Sequence, residues 1–147
     1  MRHLPARSSL AASVQLGAVG FVTVVVVPFL KYPANPPAVG DPETIDERTM
    51  QYLSVLAASI LLTVLLFVLA RRMQLGTVAR AWALSFVYAA GLLALFVTMP
   101  AHDDAIEVPA QLIWRFRLAS LGGLAAGWTV LALTAGTLFS RLARPGG

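Results

Sequence analysis

Four apolar stretches, at about residues 9–30, 49–70, 81–99 and 118–140, divide this chain, and none contains Asp, Glu, Lys, Arg or His. Each is close to the ~20 residues that a hydrocarbon core of roughly 30 Å requires of a helix. They are too long for barrel strands and lack strict two-residue alternation, so helices are the expected spanning element. The pattern predicts an all-α integral membrane protein: one membrane domain of four transmembrane helices, arranged as two hairpins.

The polar positions are as ordered as the apolar ones. Every acidic residue falls in one of two windows, Asp41–Glu47 or Asp103–Glu107. Arg2, Arg7, Arg71, Arg72, Arg80, Arg141 and Arg144 occupy the N-terminal arm, the middle connection and the C-terminal tail, with no acid among them. Lys and Arg near span ends are retained on the cytoplasmic side. Both termini are therefore expected to face the cytoplasm, and the loops 31–48 and 100–117 to face outward. The first stretch is longer than a signal peptide's apolar region, which predicts an uncleaved signal-anchor. Tyr52, Trp82 and Trp114 fall near expected membrane interfaces, and Pro28 near the outer end of the first span.

Composition narrows the class further. The chain is 58% hydrophobic and 12% charged, with a mean hydropathy of +0.76, outside the range of soluble domains. A pI near 10.4 would suit nucleic acid, but the arginines are dispersed over three ends rather than grouped with aromatics, so no nucleic-acid partner is expected. The absence of cysteine excludes disulfides and thiolate chemistry.

Candidate chemistry is confined to the loops. The first, Lys31 to Ile45, carries Pro33, Pro36, Pro37, Pro42 and Gly40, which favours a stiff, extended path. Thr44 with Glu47 matches a capping box at the start of the second helix. The same segment reads either as a rigid turn or as a preformed docking surface containing Lys31, Tyr32, Asn35, Asp41 and Glu43. In the second loop, His102, Asp103, Asp104 and Glu107 offer nitrogen and carboxylate donors of the kind that suit a first-row divalent cation. A solvated charge run has the same sequence signature. Trp114, Arg115 and Arg117 follow, and the two arginines are expected to pair with acids of both loops, tying the hairpins together. Gly123 and Gly127 form a GxxxG pattern, which suits close helix contact within the chain or with a partner.

No phosphate loop, HExxH, GxSxG elbow or intramembrane histidine pair is present, so neither an enzyme nor a resident cofactor is expected. The spans offer Gln15, Tyr88, Trp128 and scattered Ser and Thr as their polar groups. Transport sites usually sit at the midplane on ionisable residues or broken helices. A self-sufficient pump is not expected from such spans; a subunit of a larger assembly is.

The run Pro28–Ile45 (PFLKYPANPPAVGDPETI) resembles the signature outer loop of the CbtA family of bacterial predicted cobalt transporter subunits, and Leu112–Gly122 (LIWRFRLASLG) resembles that family's second signature. The resemblance covers roughly Val19–Leu133. It implies a plasma-membrane subunit of a cobalt uptake system, with a small CbtB-like protein as partner and a transiently bound divalent cation as cargo. It also implies that the chain is shortened, because family members generally carry further helices before this loop. Two readings follow. In one, a transport subunit collects cobalt or another divalent cation on His102, Asp103, Asp104 and Glu107, with help from Asp41 and Glu43. In the other, a non-catalytic accessory subunit of a larger membrane complex uses the prolines, Arg115 and Arg117 as its docking surface.

Overall fold

A helix satisfies its own backbone hydrogen bonds, which is what a segment without access to water needs. The computed structural model describes residues 6–37, 39–101 and 108–142 and contains no strand among them. Helix α1 (Ala6–Phe21) runs through a π-helical turn (Val22–Val26) into α2 (Val27–Lys31), and the unit supplies one candidate span, Leu10–Lys31. A 3-10 turn (Pro42–Thr44) leads into α3 (Ile45–Arg72), followed by α4 (Thr77–Thr98) and α5 (Ala110–Leu142). All four units are long and apolar enough to cross a membrane.

Two of the helices start well before the apolar stretches that signal them. Helix α3 begins at Ile45, behind Pro42, and α5 at Ala110, behind Pro109. Apolarity marks the depth of hydrocarbon, but backbone bonding continues into the polar interface until a residue without an N–H interrupts it. The expected capping box does not form. Thr44 makes no side-chain cap bond; instead Asp41 Oδ1 accepts from the Glu43 amide at 2.9 Å, and the Thr44 hydroxyl donates to the Asp41 carbonyl at 3.0 Å. The helix entry is thus secured one turn earlier, because Pro42 favours a tight turn there.

Packing runs from α5 to the first span to α3 to α4: α1 lies against α5, whereas the π-helical turn and α2 are the parts of that span that lie against α3. Helix α1 meets α5 antiparallel: Leu10 and Ser13 lie against Gly136, Gly17 against Ala132, and Gly20 against the Trp128 ring. Helix α4 meets α3 where Gly91 receives Leu62. Of the expected hairpins, the first span and α3 do touch, whereas α5 packs chiefly on α1 rather than on α4. The short connection 73–76 ties α3 to α4, whereas the segment after Met99 is long enough for α5 to return beside α1. Gly123 and Gly127 take no part in these contacts, since a Cβ at either would meet no atom within 4 Å. The GxxxG pattern therefore does not serve contact among the described residues.

The tightest packing lies where the first span crosses α3. Val27, Pro28, Val55 and Ser59 are the largest fully buried side chains. Pro28 explains the π-helical turn's most unusual bond. In the i to i+5 register the Val27 amide donates to the Val22 carbonyl, and the next donor in line is Pro28, which has no N–H. The Thr23 carbonyl is thereby left without a backbone donor. Ser59 Oγ, reaching across from α3, donates to that oxygen at 2.8 Å, and the Thr23 and Thr63 hydroxyls bond each other at 2.9 Å. Polar side chains on a neighbouring helix thus satisfy what proline took away.

Candidate functional site

The sequence's most unusual segment, the proline-rich loop after α2, is held at one end of the bundle by three separate anchors. The first is α4. Pro100 lacks the amide that would bond the Phe96 carbonyl one turn back, so the last turn of α4 ends with unpaired oxygens. Lys31 Nζ donates to the Phe96 carbonyl at 2.9 Å and to the Met99 carbonyl at 2.7 Å. The Tyr32 hydroxyl donates to the Pro100 carbonyl at 2.8 Å. A cation at a helix C-terminus is also favoured by the negative end of the helix dipole. Tyr32 is buried, and that burial pushes its phenol pKa up, keeping it in the donor form that this bond needs.

The second anchor is α5. Arg117 Nη2 donates to Asn35 Oδ1 at 2.8 Å and Arg117 Nε to the Ala34 carbonyl at 3.2 Å. Carboxylates of both loops are the expected partners of this arginine; those of the second loop lie outside the described residues, and among the described residues it meets neutral acceptors of the first loop. The physical reason lies in reach. Ala34 and Asn35 lie beside α5, whereas the acids of the first loop follow Gly40 and sit at the mouth of α3. Arg115, two residues away on the same helix, is exposed, as is Trp114 at 61%; neither joins this anchor.

The third anchor is α3. Arg48 Nη2 donates to the Asp41 carbonyl at 2.9 Å, while its guanidinium fills the space beside Gly40, whose φ of +107° suits glycine. Any Cβ there would meet the guanidinium. Gly40 therefore serves both the turn and the close approach of Arg48.

Beneath the loop lies a cleft of about 760 Å³ whose lining includes Val25, Phe29, Tyr32, Arg48, Tyr52 and Trp128. Its lining is predominantly apolar. Of the docking residues expected from sequence, Lys31, Tyr32, Asn35, Asp41 and Arg117 are thus gathered into one braced face. Glu43 contributes its amide to the Asp41 cap and leaves its exposed side chain outside. His102, Asp103, Asp104 and Glu107 lie outside the described residues. Among the described residues no three His, Asp or Glu side chains converge as a metal site.

Residues missed by the sequence reading are Ser59, Thr23, Thr63, Phe96 and Pro100. The last carried a signal: a proline at the end of an apolar run leaves the carbonyl four residues earlier open, and such an oxygen needs a donor from elsewhere.

The family model described as "Probable cobalt transporter subunit (CbtA)" matches residues 1–140, well beyond the stretch that carries the two signature loops. No curated protein and no solved structure matches the chain.

Proposed function

The chain belongs to the CbtA family of probable cobalt transporter subunits, and from that footing we propose that it is a plasma-membrane subunit that receives a divalent cation, cobalt first, at its loop face. Family membership carries this reading. Its chemical support is the donor set His102, Asp103, Asp104 and Glu107, borne on the connection that begins at Pro100, where Tyr32 anchors the first loop. Cobalt retained through mild purification should be lost from a His102→Ala, Asp103→Ala double variant. Equal metal content in the variant and the parent protein would remove the donor set from the proposal.

One observation favours a part in an assembly over a self-contained carrier. In the described spans, Thr23, Ser59 and Thr63 direct their hydroxyls at one another or at the backbone, and the apolar stretches hold no ionisable donor for a cation at the midplane. The pathway is accordingly completed by other membrane subunits, and a small CbtB-like protein fits that place. In the accessory reading the braced face docks a larger complex and binds no metal. Co-purification of such a complex without metal, unchanged in the double variant, would favour that reading.

The distribution of charge supports a loop face outside the cell. Asp41, Glu43, Asp46 and Glu47 lie at the loop end, whereas Arg71 and Arg72 close α3 at its other end, with Arg80 and Arg141 on the spans that follow. Because the chain has no cysteine, single cysteines report cleanly. Asp41→Cys should react with an impermeant maleimide in intact cells, and Gln74→Cys only after permeabilisation. The reverse pattern would invert the topology.

A further inference from the structure

Lys31 is the sole lysine of a chain whose other ten cationic side chains are arginines, and it occupies a place that an arginine would not fill in the same way. Its ammonium lies 2.9 Å from the Phe96 carbonyl oxygen, 2.7 Å from that of Met99 and 5.7 Å from the centre of the Tyr32 ring. Two backbone oxygens, an aromatic face and the negative end of a helix dipole surround one compact positive charge. These are the elements from which proteins build sites for free cations: unwound or terminal helix carbonyls for alkali ions, aromatic faces for ammonium ions. An ammonium is a point charge with three divergent donors, whereas a guanidinium is a planar fork suited to two parallel acceptors.

The oxygens are available for a reason independent of Lys31. Pro100 denies the Phe96 carbonyl its backbone donor, and the Met99 carbonyl lies beyond the last residue of α4. The cluster would therefore persist if the ammonium left. Its position is fixed from both sides, by α3 packing against α4 and by the Tyr32 hydroxyl bond to the Pro100 carbonyl.

We propose that the carbonyl cluster ending α4 is a cation site whose resident occupant is the chain's own Lys31 ammonium, and that a small monovalent cation of the alkali or primary-ammonium class takes the same oxygens when Lys31 is withdrawn. The Lys31 side chain and a free ion are then mutually exclusive occupants. The ammonium behaves as a tethered plug that such an ion displaces. This inference does not depend on cobalt handling, since hard carbonyl oxygens select by charge and size rather than by affinity for a transition metal.

The test is chemical rescue. Lys31→Ala in detergent should have a lower Tm than the parent protein. Ethylammonium chloride should raise the variant's Tm saturably, whereas equal tetramethylammonium chloride, too large for the cluster, should not; the parent should respond alike to both salts. A variant that responds to ethylammonium no more than the parent does would overturn the site. Should the variant fail to fold, the parent protein supplies the answer through acetylation of Lys31 by an N-hydroxysuccinimide ester, located by peptide mass. The rate should be about tenfold below that of a lysine peptide, as two charge-assisted bonds protect the amine. Potassium chloride, but not tetramethylammonium chloride, should raise it. Equal rates in the two salts would overturn the competition.

Discussion

Leucine at Gly17 or Gly136 should force α1 and α5 apart and cost about 1–3 kcal/mol or more, as overpacking of a closed interface does. At Gly17 the added Cβ would fall 2.6 Å from the Ala132 Cβ, and at Gly136 it would fall 2.7 Å from Leu10 Cδ1 and 3.1 Å from Leu10 Cα. An alanine methyl and a helix backbone cannot swing aside, so one helix must move. Gly20 differs, because its neighbour is the rim of the Trp128 ring, which a rotamer change can displace. Within a bilayer there is no hydrophobic force between helices to compensate for lost contact, since lipid is as apolar as leucine. Leucine at Gly123 or Gly127 meets open space and should change stability of the isolated chain by less than about 0.5 kcal/mol. Unfolding in graded denaturing detergent measures all four variants. A loss at Gly123 as large as at Gly17 would contradict the packing order. A normal Tm for the Gly123 variant together with a failure to assemble with other subunits would identify the GxxxG face as a partner contact.

Removing the Ser59 hydroxyl should expose the consequence of Pro28. Ser59→Ala leaves the buried Thr23 carbonyl without the donor that now lies at 2.8 Å, at an expected cost of about 1–2 kcal/mol. In a Pro28→Ala background the same change should cost much less. An alanine at position 28 supplies an amide, and the Thr23 oxygen then gains a backbone donor whichever register the turn adopts: residue 28 in the π register, residue 27 in the α register. The two mutations should therefore be coupled by about 1 kcal/mol in a double-mutant cycle. Additive effects would show that Ser59 contributes by packing alone. The Thr23 and Thr63 hydroxyl pair provides an internal comparison, as it does not compensate for a missing backbone donor, and Thr63→Val should not couple to Pro28.

Both predictions rest on features that a linear reading of residue types cannot resolve. A proline in an apolar run announces a missing amide, but not which neighbouring helix offers the replacement. Small residues announce close approach, but Gly17, Gly20, Gly123 and Gly127 are equally small, and the choice between them depends on the rotation of each helix about its own axis. The arginine pair at 115 and 117 shows the same division. Its cationic character and its place at the mouth of α5 were legible, yet the acceptors of Arg117 proved to be Asn35 and the Ala34 backbone.

What the sequence determined by itself is the solvent of each segment. Four stretches without ionisable groups and two windows holding every acid fix a membrane-spanning helical protein, because transfer of charge into hydrocarbon costs several kcal/mol per residue and no local arrangement offsets that. The signature loops, being long and ordered strings, also carried the family. Tertiary structure alone decided which helices touch, where α4 receives its cap and why the chain's single lysine stands at position 31. Those outcomes turn on hydrogen-bond geometry and van der Waals fit at the scale of tenths of an ångström between residues more than thirty positions apart, and the one-dimensional pattern holds no distance between them.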